Sequence, residues 1–155
     1  MLALRVIWVG RSKRGFSQDA VDHYCKRIRA LGSLECIEIR AASHSGRDEK
    51  AAIKAESDAI LKRLGKRGAV LLLDERGRQP TSRELADQLG ALGSAGGVTF
   101  VMGGAYGVDE RVRACAGEVI SLSRLTFPHQ LARVVLLEQI YRALTLRAGH
   151  GYHHG

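Results

Sequence analysis

Apolar positions along the chain switch repeatedly between the short continuous runs of a buried strand and the three-to-four-residue spacing of a helix. Leu4 to Val9 reads as a strand ending at Gly10, and Val21, Tyr24, Cys25, Ile28 and Leu31 mark a helix behind the cap candidate Ser17, stopped by Gly32. Leu34 to Ile39 is a second strand. Beyond a polar loop from Arg40 to Arg47, which holds His44 and Gly46, the set Ala52, Ile53, Ile60, Leu61 and Leu64 predicts a helix over Asp48 to Leu64. Lys62, Arg63, Lys66 and Arg67 crowd its end, as the helix dipole prefers. Ala69 to Asp74 is nearly all apolar, like a central parallel strand covered on both faces, and Asp74 and Glu75 are expected to leave the strand into the loop Arg76-Gly77-Arg78-Gln79-Pro80.

Thr81-Ser82-Arg83-Glu84 has the form of a capping box and opens a helix with Leu85, Leu89 and Leu92 inward. Val98 to Met102 is the next strand, Gly103-Gly104-Ala105-Tyr106-Gly107 turns into a short helix near Asp109 to Ala116, and Val119 to Ser121 is a last short strand. In the final helix, Leu131, Val134, Val135, Leu136, Leu137, Ile140, Tyr141 and Leu144 cover well over the ~100° stripe of a surface helix, which predicts burial on two sides. Thr126 is its cap candidate and Pro128 fits its first turn, so a start near Phe127 is expected. Its few polar residues, Arg133, Glu138 and Arg142, must be paired or face a site, and Glu138 to Arg142 has the favourable i,i+4 order.

Strands alternating with helices imply an α/β layer fold on a mainly parallel sheet, with residues 1–155 read as one domain. Ligands in such folds bind beyond the carboxyl ends of the strands, which singles out the loops after Leu73, Met102 and Ser121.

Charge narrows the partner. Twenty-four Lys and Arg against 16 Asp and Glu leave a net +8, which favours a polyanion. No run of about 18 apolar residues and no secretory leader is present, so a cytoplasmic protein without membrane contact is expected. Cys25, Cys36 and Cys115 lie far apart in sequence with no Cys-x-x-Cys, which predicts reduced thiols and no zinc site. His150, His153 and His154 have no Cys or carboxylate beside them, and no metal is expected there.

The sequence lacks a Walker A loop, a His-Glu-x-x-His helix and a Gly-x-Ser-x-Gly elbow, which removes the usual supports for nucleotide hydrolysis, metalloprotease and esterase chemistry. Gly103-Gly104-x-x-Gly107 has two readings: backbone brought close to a ligand, or glycines that a sharp strand-to-helix turn demands anyway. His129 reads as a proton shuttle, a phosphate contact or a solvent-exposed side chain. These features leave open a cofactor-using enzyme and a non-catalytic basic RNA-binding or ribosome-assembly protein.

Longer stretches are more specific. Val101-Met102-Gly103-Gly104-Ala105-Tyr106-Gly107, Leu122-Ser123-Arg124-Leu125-Thr126-Phe127-Pro128-His129-Gln130, Arg133 to Ala143 and the closing Tyr152-His153 resemble the RlmH family of ribosomal large-subunit pseudouridine methyltransferases in the SPOUT superfamily. The resemblance implies a SPOUT-type α/β knot: a five- to six-stranded, mainly parallel sheet with helices on both faces, a C-terminal trefoil knot and a homodimer. It implies S-adenosyl-L-methionine as cofactor, enclosed by Leu73, Gly103, Gly104, Leu122, Ser123, Arg124, Leu125, Thr126 and Phe127. The implied reaction is methylation of N3 of a pseudouridine in a stem-loop of large-subunit rRNA on the assembled ribosome. His129, Arg142, Tyr152 and His153 are the candidate catalytic residues, with residues 147–155 as a tail facing the substrate. Two features depart from the family pattern: His154 and Gly155 replace a basic end, and Asp74 to Arg78 is unusually charged.

Overall fold

A computed structural model describes residues 1–42, 48–66 and 68–152. The His44 and Gly46 loop, Arg67, His153 and His154 lie outside the described residues. The strands are β1 (Ala3–Val9), β2 (Ser33–Ile39), β3 (Ala69–Arg78), β4 (Val98–Met102) and β5 (Glu118–Ile120). Between and after them run α1 (Phe16–Arg29), α2 (Glu49–Arg63), α3 (Ser82–Gly93), α4 (Glu110–Cys115) and α5 (His129–Ala148). Every pairing is parallel and the strand order is β2-β1-β4-β3-β5. All five carboxyl ends therefore open onto one edge of the sheet.

Alternation along the strands splits the core in two. Leu4, Val6 and Trp8 of β1, with Phe100 and Met102 of β4, face the layer containing α1, α3 and α5. Ile7, Val9 and Val101 face α2 and α4. Leu136, Leu137, Ile140 and Leu144 fix α5 into the first layer, and four buried side chains of this kind contribute on the order of 6–12 kcal/mol. That is enough to carry the one large charged group in the same face, Arg133, which is only 2% exposed.

Three local expectations are corrected. Ser17 lies inside α1, and the helix starts from Gly15, whose φ of 141° favours glycine and which offers no side-chain cap. Thr126 does not cap α5. The extended Pro128 (φ −55°, ψ 146°) is the last residue before that helix, and the ring also disfavours helical backbone at Phe127, so the helix starts at His129 with no side-chain cap. Strand β3 does not end at Asp74. Its pairing with β5 breaks after Leu73 and resumes where Arg78 meets Ile120. The charges of this segment are matched across elements, Asp74 by Arg113 and Arg78 by Glu118, and Gly77 passes so close to Val119 and Ile120 that a Cβ would sit 2.7 Å from their backbone.

The capping box is formed: Thr81 Oγ1 accepts from the Glu84 amide at 3.1 Å, and Glu84 accepts from the Thr81 amide at 2.7 Å. Leu131 stands 37% exposed and Val134 and Val135 are half-buried, so α5 keeps a partly uncovered apolar flank in the protomer. Cys25 and Cys36, separated in sequence, bring their Sγ atoms to 3.6 Å where α1 packs on β2.

Candidate active site

The irregular part of β3 from Leu73 to Arg76, the loops that follow β4 and β5, and the start of α5 enclose a cavity of about 610 Å³. That size falls within the usual range for a small-molecule pocket. Leu73, Met102, Leu122, Leu125 and Phe127 supply apolar walls, Gly103 to Gly107 form a backbone wall, and His129 and Ala132 close it from α5. Ser123 and Thr126 also line it, whereas Arg124 is exposed in the same loop and does not.

Close packing around the glycine turn supports its structural reading. A Cβ on Gly103 would lie 3.0 Å from Val108 Cγ1 and 3.1 Å from the Gly107 carbonyl carbon, and one on Gly104 would lie 2.5 Å from Glu56 Oε1. Packing behind the turn thus demands the glycines, and their bare backbone is what the cavity meets. Across the cavity the loop after β5 is pinned by its own hydroxyls. Ser121 Oγ donates to the Ser123 carbonyl and Ser123 Oγ accepts from the Leu125 amide, both at 2.9 Å.

Asp74 and Glu75 are the acids that line the cavity, and Asp74 is the more buried. The titration of Asp74 is shifted. Burial raises its pKa, but the Arg113 guanidinium and the amide and side chain of Arg76 outweigh that and hold it at about 2. It is therefore ionised at neutral pH. Arg113 and Met102 line the same wall, and neither stands out in sequence, Arg113 being one of many basic residues.

Arg142 and Tyr152 are elsewhere. Helix α5 continues to Gly149, whose φ of 72° lets the His150 amide bond back to the Thr145 carbonyl at 2.9 Å and turns the chain onto its own helix. Tyr152 packs edge-on against Tyr141 with ring centroids 4.7 Å apart, and its hydroxyl lies 3.2 Å from Glu138 Oε1. Arg142 donates to the same oxygen at 3.0 and 2.6 Å, the ion pair that the i,i+4 spacing predicts. Arg27 of α1 covers both rings, 4.4 Å from the Tyr141 centroid and 5.4 Å from that of Tyr152. Burial, then the Tyr24 hydroxyl and the Glu138 carboxylate, push the Tyr152 hydroxyl up to about 12.

At a rise of 1.5 Å per residue, Tyr141 is about 18 Å along the helix from His129. The structure thus brings His129 to the cavity with the loop residues, and gathers Arg142 and Tyr152 into a second cluster at the far end of α5. Tyr24 and Arg27 belong to this second cluster, and only Tyr24 had a sequence signal, as a core position of α1.

Arg133, the third polar residue of α5, is also committed inward. It donates to the carbonyls of Val9 (2.9 Å) and Gly10 (2.8 Å), and its guanidinium carbon lies 4.8 Å from the Trp8 ring centroid. Burial lowers its pKa, and no carboxylate among the described residues forms an ion pair with it. Among the described residues, no helix is long and apolar enough to cross a membrane and no cluster of three metal-ligating side chains occurs.

A family model described as "Predicted SPOUT methyltransferase" matches residues 2–153. The chain is 42% identical over 156 residues to a protein of Geotalea daltonii named "Ribosomal RNA large subunit methyltransferase H", covering 99% of this chain and 100% of that one. A protein of the same name from Gloeobacter violaceus is 42% identical over 154 residues, with 99% and 100% coverage. Among solved structures, a probable methylase family protein from Haemophilus influenzae aligns with a TM-score of 0.55 at 13% identity, over 100% of this chain and 72% of that chain. That likeness concerns the fold alone.

Proposed function

Since the chain belongs to the SPOUT methyltransferase family, we propose that it moves a methyl group from S-adenosyl-L-methionine to N3 of a pseudouridine in large-subunit rRNA, acting as a cytoplasmic homodimer on the assembled ribosome. The observation that carries this reading is the cavity built by the irregular part of β3 and the loops after β4 and β5, where backbone and apolar side chains surround a volume suited to a nucleoside-sized cofactor. The donor set fits. Leu122, Leu125 and Phe127 offer apolar surface for an adenine, and the backbone from Gly103 to Gly107 offers hydrogen bonds. The loop path expected of the family is the trefoil knot, which brings these segments together.

S-adenosylmethionine supplies an electrophilic methyl carbon when bound. What remains is positioning and loss of the N3 proton to water or a nearby base as the N–C bond forms and the S–C bond breaks: the attacking nitrogen must lie in line with that carbon, and alignment of this kind accounts for a large share of the barrier. Tyr152 is suited to stacking and hydrogen-bond donation and not to proton removal, since its hydroxyl keeps its proton at neutral pH. Arg142, permanently charged and already oriented by Glu138, is suited to holding a phosphate or base carbonyl. His129 stands at the cavity mouth next to the first-turn amides of α5.

The separation along α5 supports the homodimer. A rigid helix keeps Arg142 and Tyr152 of one copy away from its own cavity, so they reach a cofactor only across an interface with a second copy. The partly exposed flank of Leu131, Val134 and Val135 offers an apolar patch for that interface.

Two measurements test the proposal. Calorimetry with S-adenosylmethionine should give saturable binding, and mass spectrometry of rRNA from a strain lacking its own enzyme should gain one methyl group on the target pseudouridine when this chain is expressed. Absence of cofactor binding would favour a non-catalytic RNA-binding role, and methylation at another nucleotide would replace the substrate.

A further inference from the structure

The loop joining β1 to α1 is held unusually firmly for a surface segment. The Gly10 amide donates to the Ile39 carbonyl at 2.7 Å, Arg133 donates to the Gly10 carbonyl at 2.8 Å, and Gln130 Nε2 donates to the Arg11 carbonyl at 3.1 Å. The Ser12 amide and hydroxyl both bond to Glu38 Oε1, at 2.6 and 2.8 Å. Its three cations are treated in the opposite way. Arg11, Lys13 and Arg14 are exposed, and none forms an ion pair among the described residues. Phe16, directly after them, is 79% exposed. Arg11 and Lys13 border a smaller cavity of about 300 Å³ that shares Gly104, Ala105, Tyr106 and His129 with the larger one.

A pinned backbone carrying unpaired charges suits an external polyanion, because little loop entropy remains to be lost on binding. An exposed aromatic beside such charges suits an unstacked base. We propose that Arg11, Lys13 and Arg14 grip backbone phosphates of the RNA strand next to the target nucleotide, with Phe16 as a stacking platform. Arg133, Gln130 and Glu38 are positioning residues for this grip. The inference rests on the rRNA methyltransferase reading and adds the surface that the RNA occupies.

The test uses the full-length protein and ribosomes purified from a strain without the modification, with affinity measured between roughly 50 and 200 mM salt. The combined substitution Arg11→Gln, Lys13→Gln and Arg14→Gln should make the slope of log affinity against log salt shallower by about 2, with S-adenosylmethionine affinity unchanged. Phe16→Ala should weaken binding by roughly tenfold at every salt concentration and leave the slope alone. Gln130→Ala, which frees the loop without changing charge, should also weaken binding at constant slope. An unchanged slope in the triple variant would overturn the grip. Unchanged ribosome affinity of Phe16→Ala, with a loss of dimer mass, would assign that ring to the contact between copies instead. Failure of the underlying reading looks different: the wild-type protein would then neither bind S-adenosylmethionine nor methylate ribosomes, whatever the slopes.

Discussion

The two ends of α5 are built on opposite principles. At its start, the cavity is made of backbone, glycine turns and a hydroxyl-pinned loop, and the first-turn amides of the helix have no side-chain cap. At its far end, Glu138, Arg142, Tyr141, Tyr152 and Arg27 satisfy one another through an ion pair, a hydrogen bond and ring contacts. The first end is open backbone and apolar surface around a cavity. The second is finished, and it presents an oriented Arg and Tyr on a rigid rod. Under the proposed function this difference is a division of labour: one end would hold the small molecule, and the other would deliver side chains to the site of a second copy.

The strongest way to break this comparison is to remove the rod. Leu137→Asp places an unpaired carboxylate at a fully buried position and should destabilise the protein by about 3–5 kcal/mol, seen as loss of the folded baseline in chemical denaturation. A stable folded variant would show that α5 is not the shared spine of both ends. A narrower change targets the cavity. Ala132→Phe should fill it from the helix wall and weaken S-adenosylmethionine binding by roughly a hundredfold in calorimetry, while methyl-independent properties such as the oligomer mass stay the same. Equal affinity would move the cofactor away from this wall.

The far end should respond in the reverse sense. Tyr152→Ala should lower ribosome methylation by about 10- to 100-fold with cofactor affinity intact, and Tyr152→Phe, which keeps the ring and loses only the hydroxyl's contacts with Glu138 and Tyr24, should lose less. If cofactor binding falls in parallel, the two ends are not separate. The smallest effect concerns Asp74. Its folded pKa of about 2 lies below the ordinary carboxyl value of 3.8, so its stabilisation is fully present above pH 4 and is lost as pH falls towards 2. Because the group is partly solvated, Asp74→Asn should cost only about 1–2 kcal/mol at pH 7 and converge with wild type near pH 2 in urea denaturation. A difference that persisted at pH 2 would point to packing instead of charge.

Much of this arrangement could be read from residues alone, for reasons that also explain the failures. Strand β4 is visible because Val98 to Met102 is buried at every position, and α3 because its cap is written in four consecutive residues. The pocket loops follow from strand direction. The overrun of β3 could not be read, since Asp74 and Arg78 look like loop residues until Arg113 and Glu118 arrive from α4 and β5. Arg133 was recognisable as a residue needing partners, but those partners are carbonyls at Val9 and Gly10, which carry no sequence signature. The return of Tyr152 to its own helix depends on one left-handed glycine, Gly149, and on rings contributed by α1 and α5. The Cys25 and Cys36 approach likewise depends only on how α1 lies over β2.

The placement of α5 against α1, with Arg133 locked to the end of β1, also has a consequence in time. Trp8 and the rest of that face of β1 leave the ribosome early, but the helix that covers them follows only after more than a hundred further residues have been made. At about 5–20 residues per second, the interval is on the order of ten seconds. Pairing of β1 with β4 is similarly delayed until Val98 appears, and such non-local contacts are slow to form. The nascent chain therefore has only the β1–β2 pair to build on for most of its synthesis, and the cavity is completed last, with the same helix that closes the core.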